Sequence, residues 1–106
     1  MPYYCYDRCP EEAVEQIDEL ARKLGLEQGN ANLPNRSWLG GFDDEAYNGF
    51  LHIDYDSDDA DRPLIVQTRP GMDYRKNPIR DVLKELKEIC QGATVSAMHE
   101  GPIDLD

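Results

Sequence analysis

Ile79, Val82, Leu83, Leu86, Ile89 and Cys90 recur at steps of three, one, three, three and one. At 3.6 residues per turn they form a single stripe along a helix. Asn77 suits the N-cap, Pro78 the first helical position and Gly92 the left-handed residue past the end. A helix this one-sided must lay its stripe on apolar surface, so the chain has to fold around a core. Cys90, on the stripe, reads as a small core residue. The opposite side carries Arg80, Lys84 and Lys87 among Asp81, Glu85 and Glu88, a solvated face.

The remaining elements are what that stripe has to cover. Val14, Ile17, Leu20, Ala21 and Leu24 predict a second helix over 10–24, with Pro10 opening it, Glu11 and Glu12 in its positive first turn and Gly25 closing it. The Tyr-rich segment 2–8 reads as a strand. Residues 50–56 alternate, with Leu51, Ile53 and Tyr55 on one side and Phe50, His52, Asp54 and Asp56 on the other. An acidic turn over 57–62 and a strand over 63–69 complete a hairpin. Residues 93–99 read as a last short strand, and 100–106 as an acidic tail expected to fray. Residues 25–41, rich in Gly, Asn and Pro, read as a long loop in which Ser37-Trp38-Leu39 is at most a short strand. Residues 43–49 read as a turn or one helical turn closed by Gly49.

The order strand, helix, hairpin, helix, strand is the ferredoxin-like βαββαβ pattern. If 37–42 is a strand and the terminal strands are not, the pattern becomes an α-βββ-α meander. Either is an α+β two-layer sandwich, two helices on an antiparallel sheet. At 106 residues the chain reads as a single domain over 1–106 that can hold one core without metal or disulfide.

Charge is the feature that bears on function. There are 22 acidic against 11 basic residues, net −11, with a pI near 4.4. Such a field repels nucleic acid and anionic membrane, so direct binding to either is excluded as the expectation, and it attracts basic surfaces. The charge is uneven: residues 43–61 hold eight acids and no Lys or Arg, whereas 62–87 hold seven bases and three acids. Solubility alone is the plain explanation of an acidic surface. The start, Met-Pro-Tyr-Tyr-Cys-Tyr, has neither the basic nor the apolar region of a secretory signal. With three cysteines, an odd count, this leads to the expectation of a reducing, cytoplasmic location.

Chemistry-bearing motifs are weak. Asp54-Tyr-Asp56-Ser-Asp58 has the opening spacing of a calcium loop, but Asp59 stands where Gly is needed and Ile65 where the bidentate Glu is needed. Cys5, Cys9, His52 and His99 include the donor types of a zinc site at poor spacing. His52 and Asp54 resemble a base and its partner, but side chains two apart on a strand lie about 7 Å from each other. No nucleophile elbow, phosphate loop or zinc-protease motif is present, and nothing calls for a cofactor. A non-enzymatic protein is the expectation.

The acidic stretch points further. Asp54 and Asp56 repeat along one strand face, Asp58, Asp59 and Asp61 continue beyond it, and Asp43, Asp44 and Glu45 are expected to extend the same surface. A rigid row of carboxylates resembles the charge row of a nucleic-acid backbone. Trp38 and Phe50 are candidate anchors, although a lone Trp more often plugs a core. The functional expectation is a small DNA-mimic inhibitor of a basic, nucleic-acid-handling partner, of the anti-CRISPR, anti-restriction, nuclease-immunity or antitoxin kind. A generic interaction or regulatory module, dimeric in one form, and a small metal-binding domain are the alternatives.

Overall fold

The computed structural model describes residues 2–44 and 47–105, with 42–44 and 47–49 described by backbone only. Two helices accompany one seven-stranded antiparallel open sheet. In chain order the elements are β1 (Tyr3–Tyr6), a 3₁₀ turn (Glu11–Ala13) running into α1 (Val14–Lys23), β2 (Glu27–Gln28), β3 (Asn35–Asp44), β4 (Tyr47–Asp56), β5 (Leu64–Thr68), α2 (Ile79–Ile89), β6 (Val95–Ala97) and β7 (Gly101–Pro102). The sheet order is β2-β3-β4-β5-β1-β6-β7.

Register explains which residues face the helices. Trp38, Ile53 and Val66 are paired across three neighbouring strands, as are Tyr55, Leu64, Tyr6 and Val95 across four. Directly paired residues share a face, so one face carries Trp38, Leu51, Ile53, Tyr55, Leu64, Val66, Tyr4 and Tyr6, all buried. Both helices cover that face. The Tyr6 hydroxyl donates to the Leu83 carbonyl of α2 at 2.8 Å, and the Trp38 indole donates to Asp18 of α1 at 3.0 Å. Ile17, Leu20, Ala21, Val82, Leu83 and Leu86 bury the two helical stripes. Each large apolar side chain fully withdrawn from water contributes about 1.5–3 kcal/mol. Burial also pushes the Tyr4 phenol up to about 12.

The helices end as the sequence implies. Gly25, at φ +80°, turns the chain so that its own N–H and that of Leu26 bond to the Arg22 and Ala21 carbonyls. Asn77 falls one place before the N-cap, which is Pro78, yet its side-chain oxygen still accepts from the Asp81 N–H at 3.2 Å.

Three expectations are corrected. The loop over 25–41 contains the start of a ten-residue strand, β3, because Arg36, Trp38 and Gly40 alternate with Ser37, Leu39 and Gly41 and Trp38 fills the core. The turn over 43–49 shrinks, since Asp43, Asp44, Tyr47 and Asn48 are backbone-paired in the β3–β4 ladder. The tail over 100–106 is docked rather than frayed: β7 pairs with β6, the Ile103 N–H bonds to the Val95 carbonyl, and Leu105 is fully buried. The sheet therefore has more strands than either the βαββαβ or the α-βββ-α expectation. Among the described residues no helix is long and apolar enough to cross a membrane.

Candidate functional site

The face of the sheet turned away from the helices displays the acidic stretch. Because Leu51, Ile53 and Tyr55 point into the core, Phe50, His52, Asp54 and Asp56 lie on the opposite face. His52 is paired across the ladder with Leu39 and Gln67, Asp54 with Ser37 and Ile65, and Asp56 with Asn35. The His52 ring is committed: Nδ1 donates to the Gln67 side-chain oxygen at 3.1 Å, and the ring meets Phe50 edge-on at 6.3 Å. His52 is thus oriented by Gln67 rather than by Asp54. Partial burial of Asp54 raises its carboxyl above the ordinary range; His52 opposes that shift and Asp56 adds to it.

Beyond Asp56 the chain turns, and the carboxylates build the turn. Asp56 Oδ1 accepts from the Asp58 N–H at 2.9 Å. Asp59 Oδ1 accepts from the N–H groups of Asp61 and Arg62 at 3.1 and 2.9 Å. These bonds satisfy amides that no strand partner reaches, which is why Asp is favoured here. Asp56 and Asp59 are therefore fixed in place, while Asp58 and Asp61 stand exposed. Among the described residues the ion pairs are Arg22–Asp18, Arg36–Glu15, Arg36–Asp18, Arg75–Asp73 and Arg75–Glu100. None engages Asp54, Asp56, Asp58, Asp59 or Asp61. Arg62, the nearest base in sequence, lines a cleft with Cys5, and its positive charge offsets the upward push of burial on that thiol.

The other expected residues fall elsewhere. Trp38 is 1 % exposed on the helix-facing side, so it is a core plug and not a surface anchor. The Arg36 guanidinium lies over its ring at 5.3 Å, and Asp18 takes its indole N–H. Glu45 lies outside the described residues. Asp43 and Asp44 pair with Asn48 and Tyr47 at the far end of the β3–β4 ladder, six and seven residue steps from the Ser37–Asp54 pair and eight and nine from the Asn35–Asp56 pair. At ~3.4 Å per step that is about 20–30 Å, so Asp43 and Asp44 lie apart from the Asp54–Asp61 stretch. Phe50 remains beside His52 on the outward face.

Among the described residues no three His, Cys, Asp or Glu side chains converge as a metal site. Cys5 is paired with Ile65 and Ser96 on the outward face, whereas Cys9 is buried, which separates two members of the expected zinc set.

Two arrangements were not expected. Asp18, a helical acid with nothing in its spacing to mark it as buried, sits 7 % exposed between Trp38, Arg22 and Arg36. Cys9 and Cys90, 81 positions apart, are buried in the same core. The stripe position of Cys90 signalled its burial, but nothing local signalled that of Cys9. Comparisons with protein-family models, with characterised proteins and with solved structures find no match for this chain.

Proposed function

We propose that the protein is a small acidic inhibitor that binds a basic, nucleic-acid-handling partner through Asp54, Asp56, Asp58, Asp59 and Asp61. The observation that carries this reading is five carboxylates on one continuous strand and turn, none in an ion pair among the described residues and two fixed by backbone amides. Held carboxylates meet Lys and Arg on a partner at little ordering cost and steer its approach. Phe50, at the edge of the same face, supplies apolar contact. The expected set is narrowed: Trp38 is withdrawn because it is buried, Asp43 and Asp44 pair farther along the β3–β4 ladder, and Glu45 lies outside the described residues. For the scaffold we keep a ferredoxin-like reading of the central part. The succession β1, α1, β4, β5, α2, β6 and the antiparallel neighbours β4-β5-β1-β6 support it, with β2, β3 and β7 added at the sides.

A triple variant, Asp54→Lys, Asp58→Lys and Asp61→Lys, tests the function while sparing the turn-building Asp56 and Asp59. In affinity capture from a lysate of the source cells, wild type should retain a basic nucleic-acid-processing protein at low salt and lose it at high salt. The triple variant should fail at both. Equal capture by the two proteins, with folding intact, removes the reading. A stable homodimer that occludes Leu39, 44 % exposed on the outward face, would instead favour the interaction-module alternative.

A further inference from the structure

We infer that the outer edge of β3 from Gly40 to Asp44 is a strand-addition site, and that its occupant is an extended, Lys- or Arg-bearing segment of a basic protein. The sheet order makes β2 the neighbour of β3 on that side. The two residues of β2 reach only Trp38 and Leu39 of the ten in β3. Pairing stops there because the chain arrives from the helix layer. Gly25, at φ +80°, turns it off the end of α1. Leu26 still bonds through its N–H to the Ala21 carbonyl, and its Cα would stand 3.5 Å from a Cβ on Gly40. The chain enters the sheet only at Glu27.

Backbone direction decides which groups are left over. The Ser37 carbonyl accepts from the Gly29 N–H at 2.8 Å, and the Ser37 N–H donates to the Asn30 carbonyl at 3.1 Å. Ser37 therefore turns its amide groups away from β4, and alternation turns those of Leu39, Gly41 and Asp43 the same way. Leu39 meets Glu27, but among the described residues no strand meets Gly41 or Asp43. Gly41 is exposed and, without a side chain, leaves room beside exposed Leu39 for a side chain of an added strand. The opposite sheet edge is closed: Pro102 of β7 has no N–H, and Ile103 behind it bonds back to Val95.

Charge selects the occupant. A second copy has only 40–44 to pair with, since β2 and the residues after it cover the earlier part of β3. Antiparallel pairing centred on Phe42 sets the two copies of Asp43 on a diagonal, about 7–8 Å apart. The two molecules also repel as wholes, each at net −11. A strand bearing Lys or Arg meets Asp43 and Asp44 with the opposite sign. The acids bar self-pairing and admit a basic strand. The inference rests on the proposed function for a basic partner, and gives that partner a contact apart from Asp54–Asp61.

A synthetic peptide of alternating Lys and Val tests this on the full chain, read by residue-resolved amide hydrogen exchange. At ten times its Kd it should slow exchange of the Gly41 and Asp43 amides about tenfold. The Gly40 and Phe42 amides, which face β4, should not change. The same peptide N-methylated along its backbone, and a Glu–Val peptide, should protect neither amide. Gly41→Pro removes an outward N–H without touching the β4 ladder and should weaken the Lys–Val peptide several-fold. Should that variant fail to fold, the N-methylated peptide on wild type makes the same comparison. Absence of protection at Gly41 and Asp43, or equal protection by either control peptide, overturns the inference. So does a dimer of the chain alone that Gly41→Pro dissolves. Protection that falls on Asp54–Asp61 and vanishes in the triple lysine variant also overturns it, while leaving the proposed function standing. Failed lysate capture with the edge protected by the peptide removes the proposed function and leaves the edge site.

Discussion

Asp18 and Asp54 are both carboxylates partly withdrawn from water, and the molecule treats them in opposite ways. Asp18 is set under the sheet, accepts the Trp38 indole N–H and is flanked by Arg22 at 3.0 Å and Arg36 at 3.7 Å. Asp54 stands on the outward face with Asp56 along its own strand and no ion-paired cation among the described residues. The first is compensated inside the protein; the second carries no ion pair among the described residues. A net charge of −11 therefore says little until each acid is located, because part of it fastens the fold and part remains available.

The largest effect should come from the plug that Asp18 holds. Trp38→Ala should cost about 3–5 kcal/mol of stability in denaturant titration, the range for emptying a large aromatic site. A loss below about 1 kcal/mol would mean that Trp38 sits at the surface after all, reopening its role as an anchor. Next, Asp18→Ala leaves a buried indole N–H without its acceptor and should cost about 1–3 kcal/mol. Asp54→Ala should change stability by about 0.5 kcal/mol or less, as surface changes do. Equal losses from the two alanine variants would erase the contrast between them.

The smallest effect sharpens the contrast through pH. The Asp54 carboxyl is raised in the folded protein, chiefly by burial, so the folded state holds that proton more tightly than the unfolded chain. Stability contributed by Asp54 is then fully present below its unfolded value and lost as pH rises through its folded one. Asp54→Asn removes the charge that is costly above that point. The variant should melt slightly above wild type near neutral pH, and the advantage should vanish as acid protonates Asp54. A melting difference independent of pH, or one that grows in acid, would contradict the raised carboxyl.

The helices and the hairpin turn were legible because each has a local signature. The stripe from Ile79 to Cys90 and the caps at Gly25 and Gly92 depend on spacing alone, and the acidic turn over 57–62 lies between two alternating strands. β3 was obscured by Pro34, Asn35, Gly40 and Gly41, residues that favour loops when read one by one. Its alternation about Trp38 becomes persuasive only once β4 is alongside. Ile103 and Leu105 also alternate with Pro102 and Asp104, a short signal of the docked terminal segment that composition masked. For the site, the positions of the acids were readable but their use was not. That Asp56 and Asp59 cap backbone amides, that Asp18 is buried, and that Cys9 and Cys90 share one core are consequences of chain reversal and long-range packing.

The length of the β3–β4 ladder has one more consequence. β5 accompanies β4 only from Leu51 to Tyr55, so the pairs from Gly41–Phe50 to Asp44–Tyr47 form a two-stranded arm beyond it. The ladder holds Asp43 and Asp44 about 20–30 Å along the strands from Asp54 and Asp56. A ligand engaging both ends would need basic groups set at that separation, and its avidity would depend on how well its own spacing matches.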